Sequence, residues 1–253
     1  MRLLVSVRSA AELGAAVAGG ADLIDAKEPT QGSLGPVSPE VLAAIARALA
    51  PKIPLSIALG DPGTATEAAA AVSGALAVAG ARTGGIYLKL GLAGARNLPS
   101  GRGLLEAAVQ STMQAAARSS ASVFVIAVAY ADHAVAGAPA RHAVSRVAAE
   151  VGAHGILLDT WRKDGRDLFH HVDAHALREW IEESGRLGLL VALAGSLGLE
   201  GVRAAAALPA DVVGVRGAAC AGGRSGEVQE QRVRALRRVL REGEGARVAA
   251  RAT

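Results

Sequence analysis

The chain has 253 residues, of which 51% are hydrophobic and only 2% aromatic, and its formal net charge at pH 7 is +4. This length and apolar content exclude a disordered chain and suit one large domain with a substantial core. An apolar stretch such as Leu187–Leu197 is too short to span a bilayer, and the first residues lack a signal-peptide pattern, so we expect a cytoplasmic protein without a membrane partner. The single cysteine, Cys220, excludes an internal disulfide framework and a cysteine-built zinc site.

Eight short apolar runs predict β-strands, and alanine-rich stretches with helical spacing lie between them. The predicted strands are Leu3–Val7, Leu23–Lys27, Leu55–Gly60, Gly85–Gly91, Ser122–Tyr130, Gly155–Thr160, Leu187–Gly195 and Val212–Gly217. The predicted helices are Ser9–Ala18, Glu40–Leu49, Thr64–Ala79, Gly103–Ala117, Arg141–Val151, Asp173–Ser184, Leu199–Leu208 and Glu230–Arg241. This alternation predicts an α/β fold, a single (β/α)8 TIM barrel, because eight strand–helix units need about 250 residues. An open doubly wound sheet is the alternative, but no glycine fingerprint follows the first strand.

The positive charge is concentrated at the C-terminal end of the sequence. Residues 230–253 contain seven arginines and three glutamates, a balance that equals the net charge of the whole chain. We therefore predict a catalytic barrel over residues 1–241 and an Arg-rich flexible tail over residues 242–253. We expect no nucleic-acid partner, because two residues each of Phe, Trp and Tyr offer little surface for base stacking.

Lysine is scarce in this chain, and most of the basic residues are arginines. The four lysines are Lys27, Lys52, Lys89 and Lys163. A lysine whose pKa is lowered can attack a carbonyl group, whereas arginine cannot. Lys27 and Lys89 stand at the C-terminal ends of predicted strands and Lys163 follows another, which is where TIM barrels place their active sites. Lys52 precedes the third strand, at the opposite face.

Two of these lysines share a segment with an aspartate. Asp25 precedes Lys27 by two residues, so both side chains should point into the barrel, and Asp159 precedes Lys163 by four. Crowded ammonium groups disfavour protonation, so one lysine can be neutral near pH 7. A neutral amine predicts Schiff-base chemistry on an aldehyde or ketone, with the aspartates moving protons. The alternative is that these residues form buried ion pairs that only close the barrel mouth.

Glycine-containing loops after the seventh and eighth strands predict an anion site, because such loops often bind phosphate through backbone N–H groups. A third glycine-rich loop, over residues 31–36, follows Lys27 and could act as a flap. The alternative is that these glycines only turn the chain tightly. The candidate substrate- and phosphate-binding residues are Ser33, Gly195, Ser196, Arg216, Gly217, Gly222 and Gly223.

Five sequence blocks occur together in a fixed order. They are Asp25-x-Lys27-x-Pro29-x-x-Gly32-Ser33-Leu34-Gly35, Lys89-x-Gly91, Leu158-Asp159-Thr160-x-x-Lys163-Asp164-Gly165, Ala194-Gly195-Ser196-Leu197 and Gly214-Val215-Arg216-Gly217. In this combination the chain resembles the (5-formylfuran-3-yl)methyl phosphate synthase family from the second strand to the eighth. The resemblance implies a TIM-barrel lyase without cofactor or metal, which makes the furan precursor of methanofuran-type one-carbon carriers. Its substrate would be a triose phosphate, two molecules of glyceraldehyde 3-phosphate, with loss of phosphate and water.

The resemblance also implies roles for the strand-end residues. Lys27 would form the Schiff base and Lys89 would accept a proton, while Asp25, Asp159 and Lys163 would assist proton transfer and hold the site. Lys163 remains the alternative for the imine. A class I aldolase acting on sugar phosphates and an RNA- or ligand-binding protein that uses the basic tail are the alternative functions. A barrel of this size commonly associates, so we expect a homo-oligomer.

Overall fold

Over residues 1–117 and 121–251, which the computed structural model describes, eight parallel strands form a closed barrel in sequence order. The strands are β1 (Arg2–Val7), β2 (Leu23–Ala26), β3 (Leu55–Ala58), β4 (Ile86–Gly91), β5 (Val123–Tyr130), β6 (Gly155–Asp159), β7 (Leu190–Leu193) and β8 (Val212–Val215). β8 pairs with β1, with Leu3 opposite Val213, and this pairing closes the sheet. The predicted (β/α)8 fold is confirmed.

The helices follow the strands and cover the outside of the barrel. They are α1 (Leu13–Ala18), α2 (Pro39–Ala48), α3 (Ala65–Ala79), α4 (Leu98–Ala116), α5 (His133–Ala136), α6 (Arg141–Glu150), α7 (Leu168–His171), α8 (Ala174–Arg186), α9 (Leu199–Ala206) and α10 (Glu230–Arg251). The Ser38 and Thr64 side chains cap α2 and α3 by accepting hydrogen bonds from backbone N–H groups of the first turn. In the described ranges, none of these helices has the length and apolarity that a membrane crossing requires.

The strands contribute to two apolar layers, because successive side chains point to opposite faces of the sheet. Leu55 and Ile57 of β3 belong to the larger core between the strands and the helices. The barrel interior forms a second, smaller core, to which Ile126 and Leu157 contribute. Barrel interiors are usually filled by bulky side chains. Here Ser56 and Gly214, together with Ala192, leave part of the interior unfilled, and a cavity reaches into it.

The last helix is longer than the sequence predicted. We expected it to end at Arg241, but α10 continues to Arg251. Glycine is unfavourable inside helices, yet Gly243 lies where a larger residue would collide with Ala206 of α9. Glu244 also pairs with the amino group of Met1. The flexibility of residues 242–253 stays a prediction, and residues 252 and 253 lie outside the described part of the chain.

Candidate active site

A cavity of about 320 Å³ opens at the C-terminal ends of the strands and extends down into the barrel. The loops after β6, β7 and β8 line its mouth, and inward-facing side chains of the strands line its depth. Its charged lining residues are Asp25, Lys27, Lys89, Asp159, Lys163, Arg216 and Arg224. The cavity thus brings together all five residues that the sequence predicted to be catalytic.

The first charged pair joins β2 and β4, the two strands that flank β3 in the barrel wall. Lys89 Nζ lies 2.7 Å from Asp25 Oδ1, and Ser6 Oγ donates a hydrogen bond of 2.7 Å to Asp25 Oδ2. Burial by itself raises the pKa of Asp25, but the charges of Lys89 and Lys27 and the two hydrogen bonds outweigh it, so the pKa is lowered. Asp25 is therefore an ionised carboxylate held between two cations.

The second charged pair lies at the end of β6. Lys163 Nζ donates to Asp159 Oδ1 at 2.7 Å and to Thr160 Oγ1 at 3.2 Å. The backbone N–H of Thr160 also donates to Asp159 Oδ1. Burial by itself raises the pKa of Asp159, but the attraction of Lys163 and Lys27 outweighs it and lowers the pKa. This carboxylate is likewise ionised at neutral pH.

Lys27 differs from the other two lysines of the cavity because it belongs to neither pair. Among the described residues, no carboxylate oxygen lies within 4.0 Å of its Nζ, although both aspartates are near enough to influence its charge. Burial and the charge of Lys89 lower the pKa of Lys27 from 10.5 to about 8, against the opposing pull of Asp159 and Asp25. Lys27 is therefore the amine of this cavity that becomes neutral near physiological pH.

The loop after β7 combines an unusual backbone with an exposed helix end. Gly195 has φ +104°, and a Cβ there would lie 3.0 Å from Thr160 Cγ2, so the position requires glycine. Ser196 has φ 55°, which costs energy for a residue other than glycine and is a feature of functional loops. Gly198 lines the cavity and precedes α9, and within the described chain it offers no side-chain cap to the first N–H groups of that helix. Such an arrangement favours an anion.

The Arg216 side chain, which the sequence predicted to bind phosphate, makes its contacts within the protein, and its phosphate-binding role stays a prediction. Its five guanidinium N–H groups are taken by the carboxylate of Glu12 and by the backbone carbonyls of Ser6, Arg224 and Gly226. Arg216 and Glu12 are 7% and 6% exposed, so this is a buried ion pair that ties β8 to the segment after β1. The side chain holds the loop in place through these contacts.

A comparison with models of protein families matches residues 3–237 to the family described as 4-HFC-P synthase. The chain belongs to the 4-HFC-P synthase family. The (5-formylfuran-3-yl)methyl phosphate synthase of Methanococcus maripaludis is 37% identical over 250 residues, which cover 96% of this chain and 100% of the relative. The protein of the same name from Methanothermobacter thermautotrophicus is 36% identical, with coverage of 95% and 99%. The resemblance found in the sequence is confirmed, and the names of the relatives support an enzyme with a furan synthase role.

The similarity to solved structures agrees with the barrel. Phosphoribosyl anthranilate isomerase from Thermus thermophilus superposes with a TM-score of 0.61 at 19% identity, covering 96% of this chain and 99% of the isomerase. At that identity the likeness shows the fold alone.

In this member of the 4-HFC-P synthase family, the predicted binding residues divide into two groups. Gly195, Ser196 and Gly217 line the cavity. Ser33, Gly222 and Gly223 are not among its lining residues in the described chain, and the Ser33 hydroxyl lies 3.4 Å from the hydroxyl of Tyr130. Ser33 therefore supports the loop after β2 through its contact with Tyr130 of β5.

Sequence reasoning missed several polar residues of the cavity, among them Arg224 and Ser56. Arg224 lines the mouth, and its Nη2 donates to the carbonyl of Gly32 at 2.8 Å, so it connects the loops after β8 and β2. Its place directly after Gly222-Gly223 was a usable signal, but it was hidden among many arginines. Ser56 lines the interior part, and only its inward register on β3 could have indicated this.

The histidines, acidic residues and cysteine of the described ranges offer no metal centre and no reactive thiol. In the described residues, no group of three or more His, Cys, Asp or Glu side chains could hold a metal ion. Cys220 is 1% exposed, and burial raises the pKa of its thiol. A buried thiol with a raised pKa is a poor nucleophile.

Proposed function

We propose that the chain condenses two molecules of glyceraldehyde 3-phosphate to (5-formylfuran-3-yl)methyl phosphate through a Schiff base on Lys27, as a carbon–oxygen lyase that needs no metal or cofactor. The trioses supply six carbons, and loss of one inorganic phosphate and two waters leaves the furan aldehyde with one phosphate. The observation that carries the proposal is the environment of Lys27, the cavity lysine that has no paired carboxylate among the residues that the structure describes. The product would serve methanofuran-type cofactor synthesis.

Lys27 starts the reaction because its neutral form is a nucleophile. Its Nζ adds to the aldehyde carbon of one triose, and loss of water gives an iminium ion. The iminium withdraws electrons from the adjacent carbon, which loses a proton and can then attack the aldehyde of the second triose. Hydrolysis of the imine at the end returns Lys27. The cavity walls keep these intermediates away from bulk water.

The two aspartate–lysine pairs handle the protons that this sequence moves. Lys89 and Asp25 share a buried ion pair beside Lys27, and in its neutral form, after it has given up a proton, Lys89 is the proposed proton acceptor. Lys163 and Asp159 form the matching pair on another strand and stabilise negative charge that develops on a carbonyl oxygen or on the leaving phosphate. Because Lys89 and Lys163 each have a carboxylate partner, the two aspartates offset most of the positive charge of the three lysines.

The loops after β7 and β8 bind substrate phosphate in this proposal. Backbone N–H groups near Gly195, Ser196 and Gly217 and the first turn of α9 supply donors at the mouth. Arg224 supplies the guanidinium that was first expected from Arg216, because it lines the mouth and can bind a phosphate oxygen in a charge-assisted bond.

The decisive experiment incubates the purified chain with glyceraldehyde 3-phosphate alone, in the presence of a chelator. A furan aldehyde absorbance, one equivalent of inorganic phosphate and a product mass with a single phosphate are expected. A six-carbon product that keeps both phosphates indicates a class I aldolase instead. Borohydride trapping should place the adduct on Lys27, and an adduct found only on Lys163 would reverse the assignment of the imine. Lys27→Arg keeps the charge but cannot form the imine, so it serves as the negative control.

A further inference from the structure

Ser56 carries a buried hydroxyl group that has no role in the proposed reaction steps. It lies in the middle of β3, is 1% exposed and lines the cavity. Among the described residues, its Oγ has no hydrogen-bond partner. Its neighbours in the strand, Leu55 and Ile57, face the helices, so the alternation of the strand directs Ser56 into the barrel.

An unsatisfied hydroxyl at this depth is costly. A buried polar group without a partner destabilises the fold, and alanine would avoid that cost at nearly the same volume. Ala58, the next inward residue of β3, packs in the interior core in this way. Ser56 lies two residues before Ala58, deeper in the barrel, and its side chain points into the cavity. Its hydroxyl therefore indicates a hydrogen bond to a ligand when the cavity is occupied.

The surroundings of Ser56 show which partner would fit. Across the sheet it is in register with Asp25, whose carboxylate is already held by Ser6 and Lys89. Beside Tyr87, the register partner of Ser56 on β4, the deeper walls of the cavity are apolar. They are formed by Leu4, Leu23, Ile126, Leu157 and Leu190, with Ala192 and Gly214 leaving the space open. The Ser56 hydroxyl is thus an uncommitted polar group beside a largely apolar chamber below the lysines.

We propose that this chamber is the subsite for the carbon skeleton of the triose, and that Ser56 binds one of its hydroxyl or carbonyl oxygens there. The phosphate then stays at the mouth, and the carbon chain points down past Lys27 towards the apolar floor. The floor favours the skeleton as it loses hydroxyl groups, because the product ring is less polar than the trioses from which it forms. This inference rests on the proposed function for the identity of the substrate.

The test compares two ligands in wild type and Ser56→Ala. Glycerol 3-phosphate has the hydroxyls and phosphate of the triose but cannot form an imine, and inorganic phosphate has no carbon skeleton. Calorimetry should show that Ser56→Ala binds glycerol 3-phosphate about 2- to 10-fold more weakly, the loss expected for one hydrogen bond, while its affinity for inorganic phosphate is unchanged. The unliganded variant should melt at the same temperature as wild type or higher, because it lacks the unsatisfied hydroxyl.

Ser184→Ala is the matched control, since Ser184 is a fully buried serine of α8 whose hydroxyl pairs with that of Ser145 at 2.9 Å. It should lower the melting temperature and leave both affinities unchanged.

Three results would overturn the proposal. Ser56→Ala could melt at a lower temperature with unchanged affinities, it could lose affinity equally for both ligands, or wild type could fail to bind glycerol 3-phosphate. If wild type binds glycerol 3-phosphate through Ser56 but makes no furan, the subsite stands and the proposed function fails. If furan forms and Ser56→Ala changes neither affinity, only the subsite fails.

Discussion

Lys27→Met tests both the chemistry and the electrostatic cost of the cavity. With a pKa of about 8, roughly one-tenth of the Lys27 side chains are neutral at pH 7, against about one in 3000 for a lysine of pKa 10.5. The folded protein therefore holds roughly 300-fold more free amine than an exposed lysine would. Because the unfolded chain keeps the ordinary pKa, holding the proton on Lys27 at pH 7 costs the fold on the order of 3 kcal/mol.

The sign of this effect sets the expected pH dependence. Between about pH 8 and pH 10.5 the unfolded chain binds the Lys27 proton while the folded chain has released it. Wild-type stability therefore rises with pH across this window, relative to a variant without the group. At pH 7 Lys27→Met should be the more stable protein, because methionine fills similar space without a charge, and its advantage should shrink towards pH 10.5.

Two measurements check this reasoning. Wild-type kcat/KM should rise about tenfold per pH unit below pH 8 and level off above it, while Lys27→Met should have no turnover. Urea unfolding at pH 7 and pH 10 gives the stability difference between the two proteins. Lys52→Met, which replaces an exposed lysine, is the control and should change neither quantity. Turnover in Lys27→Met, or a stability difference that grows with pH, would refute the argument.

Three further changes have defined outcomes. Arg224→Gln should raise KM for glyceraldehyde 3-phosphate about tenfold with a smaller change in kcat, since it removes a charge-assisted phosphate contact; an unchanged KM would exclude that contact. Glu12→Gln leaves the buried Arg216 cation without its carboxylate and should cost about 3–5 kcal/mol in urea unfolding, so a loss below 1 kcal/mol would contradict the pairing. Deletion of residues 242–253 should keep catalytic activity in a furan assay and lower the melting temperature, because contacts of α10 with Ala206 and Met1 are lost. Loss of activity in a folded truncation would indicate a functional tail.

The sequence was sufficient to predict the barrel and the position of the charged groups that line its cavity. Parallel strands buried on both faces appear as apolar runs, and the polar residues that interrupt them at the C-terminal ends stand out. Asp25 and Lys27 were predicted to share a face from their spacing alone, and both line the cavity. The scarcity of lysine in an arginine-rich chain drew attention to the same residues.

What escaped prediction depends on contacts between residues far apart in the chain. Arg216 was assigned to phosphate because it stands in a glycine loop, but its guanidinium is bound by Glu12, 204 positions away. Ser56 is flanked by apolar residues and has no motif, so only the closed barrel shows that it faces an open chamber. The short helices α5 and α7 within the loops after β5 and β6 lack the length that gives a helix a clear periodic pattern.

The hydrogen bond from Arg224 to the Gly32 carbonyl joins two loops that belong to different parts of the sequence. A guanidinium has five donors, so Arg224 can hold a phosphate oxygen and the loop after β2 at the same time. Phosphate binding at Arg224 and the bond of Arg224 to the loop after β2 are then linked thermodynamically, and each must favour the other by the same factor. Occupation of the mouth by phosphate would order the loop that follows Lys27. A substitution in that loop would in turn alter phosphate affinity without contacting the anion. The position of the loop after Lys27 and the binding of phosphate at Arg224 would then depend on each other.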